Sequence, residues 1–231
     1  MDSGERIQLD QDVCTLYDIF RVLCRRQRRS WSDPLPGQEP PRSAFAVWDV
    51  LKDRWPPIGE AELERAFRSG DVEVVDFAEL GRVLYLPPLS RHESDCVPVV
   101  SLECDRRNAD ALKLRFILVR DDDETQQLVC IGFRMDKGED EHGFYHAQLI
   151  RCLQGDDTDE DYIECPRWLP ETQPSLPICA VSSATLLLCM LLSIYGLEGF
   201  GRLVSEFSHN HVHRLPEHLR KFREWFNLGK V

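Results

Sequence analysis

Residues 97–152 read VPVVSLECDRRNADALKLRFILVRDDDETQQLVCIGFRMDKGEDEHGFYHAQLIRC. Four apolar segments of strand length stand in this stretch, at 97–104, 112–120, 128–135 and 144–152, each separated from the next by polar or acidic residues. Along the second, Leu112, Leu114, Phe116 and Leu118 share one parity, while the other begins with Lys113 and Arg115 and turns apolar only at Ile117 and Val119. Side chains alternate between the two faces of a strand, so this pattern describes one buried face and one mixed face. The third segment sets Val129, Ile131, Phe133 and Met135 against Leu128, Cys130, Gly132 and Arg134. The acidic residues from Asp121 through Glu124 fit a hairpin between these two segments, and Gly138 and Gly143 can supply positive φ for the reversal before the fourth. The reading is a four-stranded antiparallel meander. Pro98 has no amide hydrogen to give to a ladder, which predicts that the first strand lies on an edge.

The rest of the chain reads as helices around that sheet. Val13, Leu16, Tyr17, Phe20, Leu23 and Cys24 recur at helical spacing, with Asp10 or Asp12 as cap and Arg25, Arg26, Arg28 and Arg29 gathered at the carboxyl end, where cations complement the helix dipole. Pro34, Pro36, Pro40 and Pro41 make residues 30–42 a connector. A second helix starts near Ser43, presents Phe45, Trp48, Leu51 and Trp55, and stops before Pro56; a third covers 60–67. Asp76 followed three positions later by Glu79 has the form of a capping box, which predicts a fourth helix through Leu86. The outline suggests a calcium hand, but residues 68–73 lack the alternating oxygen donors such a loop needs.

Residues 178–197 carry no charge and approach the length that spans a bilayer. Ser182 and Ser183 offer a late cap and Gly196 a stop, which trims the segment to a core helix over 184–195. Helices over 197–207 and 215–228 follow, the last with Leu215, Leu219, Phe222, Trp225 and Phe226 on one stripe and Pro216 in its first turn. The division expected is a helical region over 1–92, with its proline-rich linker near 30–42, and a sheet with carboxyl-terminal helices over 93–231.

Composition bounds the function. The formal net charge of −12 disfavours general affinity for nucleic acid or anionic lipid. Nine cysteines lie in core-like segments and residues 1–12 do not resemble a signal peptide, so a soluble, cytoplasmic chain with reduced thiols is expected. No Gly-x-Ser-x-Gly elbow, phosphate loop or dinucleotide fingerprint occurs in the sequence. His209, His211 and His213 alternate, and on an extended backbone they would project to one side as metal ligands. A solvated linker explains the same residues. Asp121, Asp122 and Asp123 lie two strand crossings from Asp156, Asp157 and Asp159, so a meander delivers both groups to one end of the sheet as an acidic rim suited to a basic protein partner. Trp168, in the proline-rich crossing 165–177, is a second contact candidate.

The expectation is therefore an α+β protein: a helical N-terminal part, then a four-stranded antiparallel meander packed by C-terminal helices. Its expected role is a noncatalytic interaction or regulatory module, adaptor-like, acting on a protein partner without cofactor, nucleic acid or membrane. The alternative is a metal-binding protein or an enzyme using His209, His211 and His213 or a cysteine.

Overall fold

A computed structural model describes residues 10–32, 42–68, 73–86, 96–122, 127–137, 145–150, 176–178, 180 and 182–226. Helix α1 (Gln11–Ser32) is capped by Asp10, whose Oδ1 accepts from the amides of Asp12 at 2.8 Å and Val13 at 3.4 Å. Helices α2 (Arg42–Arg54) and α3 (Glu60–Arg68) follow. Strands β1 (Val74–Asp76), β2 (Leu84–Tyr85), β3 (Val97–Asp105), β4 (Leu112–Asp122), β5 (Gln127–Lys137), β6 (Tyr145–Ile150) and β7 (Leu176–Ile178) form one sheet, and α4 (Ser183–His209) and α5 (Leu215–Phe226) close the chain. The fold class is α+β, with N-terminal helices, an antiparallel sheet and C-terminal helices.

The sheet is wider than a four-stranded meander. Its order is β1-β3-β4-β5-β6-β7, with β2 also paired to β3, and every pairing is antiparallel. The extra strands are two or three residues long, too short for alternation to mark them. Because β1 and β2 lie along the same side of β3, that strand is interior, which corrects the edge placement inferred from Pro98. The Pro98 carbonyl accepts from Leu86 N at 3.0 Å, so the missing amide of Pro98 faces the side where β2 ends and costs the ladder little.

Residues 76–86 form a turn and a strand, not the fourth helix expected from Asp76 and Glu79. Asp76 Oδ1 caps a single turn by accepting from Ala78 N at 2.7 Å, and Gly81, at φ 60°, ends it. Arg82 N donates to Phe77 O at 2.8 Å, which returns the chain to the edge of β3, where β2 pairs with Val99 and Val100. Local capping chemistry is satisfied within five residues; pairing with β3 then takes the backbone hydrogen bonds that a helix would have used.

Two apolar layers sandwich the sheet. On the inner face, Val100, Leu102, Cys104, Leu112, Leu114 and Phe116 join α1, α3, α4 and α5 in one buried cluster. On the outer face, Val97, Val99, Ile117 and Val119 meet Ala44, Val47 and Leu51 of α2 and the Trp55 that follows it, with Phe45 and Trp48 partly buried beside them. Residues on both sides of position 92 thus share the inner cluster. A polar clamp joins α1 to the outer layer: Gln27, buried within α1, donates to Ile58 O at 2.6 Å and accepts from Tyr85 N at 3.0 Å, while Tyr85 Oη donates to Trp55 O at 2.8 Å.

Helix α4 begins at Ser182 with a reciprocal capping box to Thr185 and is broken at Gly196, at φ 63° and ψ −177°. From Ser183 through Leu191 every residue is buried. By length and composition α4 is the one helix among the described residues that could cross a membrane, with half of its most apolar window buried inside the protein. A charge placed between Ser183 and Leu191 would be buried in an apolar layer. Leu188, fully buried, should tolerate Leu188→Asp no better than other unpaired buried charges, which cost about 3–5 kcal/mol. The soluble yield and the hydrogen-exchange protection of β3 and β4 should collapse in this variant; a folded Leu188→Asp protein would show that the helix is not core.

Candidate functional site

Away from α2 the outer face of the sheet is polar, and the register decides which side chains meet there. One row across four strands holds Glu103, Lys113, Asp136 and His146; the next holds Ser101, Arg115, Arg134 and Gln148. A third row continues with Val99, Ile117 and Gly132, where the apolar layer under α2 begins. Gly132, itself buried, adds no side chain to that third row.

Ion pairs tie the block together unevenly. Glu103 accepts from Lys113 Nζ at 3.0 Å, while its other carboxylate oxygen is 3.8 Å from Arg115 Nη2, beyond hydrogen-bonding distance. Arg134 Nη2 donates to Gln148 Oε1 at 2.8 Å, and Arg134 Nε lies 2.6 Å from Asp136 Oδ2. His146 Nε2 is 2.9 Å from Asp136 Oδ1. Close approach here does not mean aligned hydrogen bonds: Ser101 Oγ, Arg134 Nε and Asp136 Oδ1 are all buried without a hydrogen-bond partner of good geometry. The side chains of Asp136 and His146 are 6% and 12% exposed and that of Arg115 is 15% exposed, so the block is a built surface whose members are held by their neighbours.

The sequence carried the pattern of this block without its assembly. Lys113 and Arg115 mark the mixed parity of β4, and His146 falls within the fourth apolar segment. Their meeting with Arg134, Asp136 and Gln148 depends on hairpin register, which the polar connections at 123–126 and 138–144 do not encode by composition.

Of the residues singled out from sequence, Asp121 and Asp122 end β4, pairing with Leu128 and Gln127 of β5. Strands β4 and β6 run in the same direction, so the chain leaves both toward one end of the sheet. Asp123, Asp156, Asp157, Asp159 and Trp168 lie outside the described residues. His209 ends α4 with its Nδ1 2.6 Å from Ser205 O, His211 adopts φ 52°, and the His213 amide donates to Asp18 Oδ2 at 3.0 Å. The backbone there is a tight turn and not the extended run that would align three imidazoles. Among the described residues no group of three or more histidine, cysteine or carboxylate side chains is placed to hold a metal ion.

Cys104 and Cys14 offer poor nucleophiles. Burial, with Asp105 and Asp10 adding, pushes the Cys104 thiol up to about 12, and burial with Asp18 and Asp10 raises that of Cys14. A thiol held protonated is unreactive at neutral pH. Cys24 donates to Ile58 O at 3.2 Å beside the Gln27 clamp.

A second polar cluster joins α1 to α5. His218 is fully buried; its Nε2 lies 3.4 Å from both Thr15 Oγ1 and Asp12 Oδ1, and its Nδ1 has no partner. Thr15 donates its own hydrogen to His213 O at 2.9 Å, leaving its oxygen to accept from Nε2–H. Burial lowers the His218 pKa, partly opposed by Asp12 and reinforced by Lys221 and Arg214. Nearby, hydrogen bonds from Arg214 and Lys221 hold the half-exposed Glu217 at about 2. A third cluster, in which Tyr145 Oη donates to Asp110 Oδ1 at 3.1 Å and lies 3.0 Å from Ser183 Oγ, pins β6 to the start of α4. The chain matches no family model, no curated protein and no solved structure.

The neutral imidazole of His218 makes stability depend on pH with a definite sign. Its folded pKa is lowered, so the unfolded chain binds the proton more readily; the stabilisation is complete above the ordinary histidine value of about 6.5 and is lost as pH falls through the folded value. Urea midpoints taken from pH 7.5 to 5 should fall more steeply for the wild type than for His218→Gln, and parallel curves would remove His218 as the cause. The turn at 209–213 generates a further expectation. Purified protein should carry no stoichiometric zinc, and joint replacement of His209, His211 and His213 by alanine should shift the melting temperature by only a few degrees. Elemental analysis finding zinc that the triple variant loses would establish a metal site there.

Proposed function

We propose that this chain is a noncatalytic interaction or regulatory module that engages a protein partner through the polar half of the outer sheet face and the acidic rim beyond it. The observation that carries the reading is the two-row block of Ser101, Glu103, Lys113, Arg115, Arg134, Asp136, His146 and Gln148. Side chains fixed on neighbouring strands and partly desolvated by one another lose little freedom on meeting a partner, so they favour specificity over simple solubility. The acidic rim expected from the sequence, of which Asp121 and Asp122 close β4, would suit basic groups on that partner. A cytoplasmic location belongs to the same reading, since cysteines dispersed through core-like segments suit a reducing compartment.

A partner captured by crosslinking from a native extract provides the test. Its association rate should drop about tenfold between low and moderate salt, and changing the six rim aspartates to asparagine should abolish most of that dependence. Rates that ignore both salt and the substitutions would remove the rim from the contact surface.

A further inference from the structure

The cations of the outer face sit where a folded chain gains least from them. Arg115 and Arg134 are direct cross-strand partners on β4 and β5. Leu86 N donates to Pro98 O, so even-numbered residues of β3 turn their backbone groups toward β2, and Pro98 opposes Leu118 without exchanging hydrogen bonds. Alternation then makes Arg115 and Arg134 a pair without mutual backbone hydrogen bonds, the type in which side chains come closest. Like charges directly opposite one another destabilise a sheet. Arg115 is the weakly paired member, its Nη2 3.8 Å from a Glu103 carboxylate that Lys113 already holds, whereas Arg134 Nε makes a 2.6 Å ion pair with Asp136 Oδ2 whose N–H is not aligned. Lys113 stands diagonal to the pair, and Ser101 Oγ, buried and without a hydrogen-bond partner, is the residue opposite Arg115 on β3. On a chain of net charge −12, a local excess of positive charge beside orphaned polar atoms requires an explanation other than solubility.

We propose that Arg115 and Arg134 form a carboxylate-binding pair that receives an acidic peptide segment of the protein partner. A planar carboxylate seated between two guanidiniums accepts from both, removes their repulsion and can take the Ser101 hydroxyl as a further donor. Gln148 holds Arg134 from the far side, which makes it a positioning residue for the pair. A partner meeting both this pair and the acidic rim carries acidic residues against the sheet centre and basic residues toward its end. The inference deepens the interaction reading, on which its choice of a peptide ligand rests, but it can fail separately because its probe is not the native partner.

The full chain is titrated with a capped hexaglutamate peptide and, in parallel, with inorganic phosphate, while the Nε–Hε resonances of Arg115 and Arg134 are followed by NMR. Saturable shifts of both resonances with the peptide are expected, together with at least tenfold weaker peptide binding in Arg115→Gln and in Arg134→Gln. Saturation by phosphate with none by the peptide overturns the peptide assignment, and no shift from either probe overturns the site. Unchanged peptide binding in both variants also overturns it. The wild-type titration stands even if a variant misfolds, and rim-dependent association measured with the native partner decides the interaction reading independently of all these outcomes.

Discussion

Nine consecutive buried residues at the start of α4, from Ser183 through Leu191, are the constraint around which the rest is arranged. A helix apolar on every side needs cover on every side. The inner sheet face supplies part of it and α1 another part, and the chain beyond Gly196 turns back so that Phe200, Leu203 and Phe207 add to the same cluster. Phe222 of α5 packs on Phe200 with ring centroids 5.5 Å apart, which draws the last helix into the layer. The polar start of the helix is secured as firmly as its body. Ser182 and Thr185 cap each other, and Ser183 donates to Ala109 O, in the connection between β3 and β4.

Polar groups carried inward by this packing are mostly put to use as joints. Gln27 is the plainest case: a good helix former by propensity, it is buried on α1 because its amide serves the backbone of Ile58 and Tyr85 at once. That joint fixes α1 against the interrupted edge strand and so holds β1 and β2 beside β3. Removing the amide would strand the buried Tyr85 amide hydrogen and leave Ile58 O with only the weak Cys24 thiol donor, which is why one polar side chain matters there more than another leucine would.

The outer sheet face divides the labour differently. Its apolar half is covered by α2, and its polar half carries the rows of Glu103 and Arg115. Stability alone would favour alternating charges in such a block, yet Arg115 and Arg134 oppose each other and three buried polar atoms lack aligned partners. A sheet that folds around a large apolar helix can bear this local cost, and sites of binding are where such costs accumulate.

Periodicity alone determined much of the architecture: α1, α3 and α5, the core helix with its stop at Gly196, and strands β3 through β6 all follow from where apolar residues recur. These signals survive because each element is long enough to show its period and buries the face that carries it. Short pieces escape that logic. β1, β2 and β7 exist because a neighbouring strand offers hydrogen bonds, and the turn at 77–81 replaced a helix because Asp76 satisfied its cap within one turn before β3 captured the chain. Pro98 was read as an edge marker, yet the tertiary structure made β3 interior by turning the proline toward the end of β2, where no amide is needed. The candidate site is of the same kind: Lys113, Arg115, Arg134, Asp136 and His146 are legible as polar positions of strands. Their meeting is a matter of register, and register is set by packing across the sheet, which no local stretch of sequence contains.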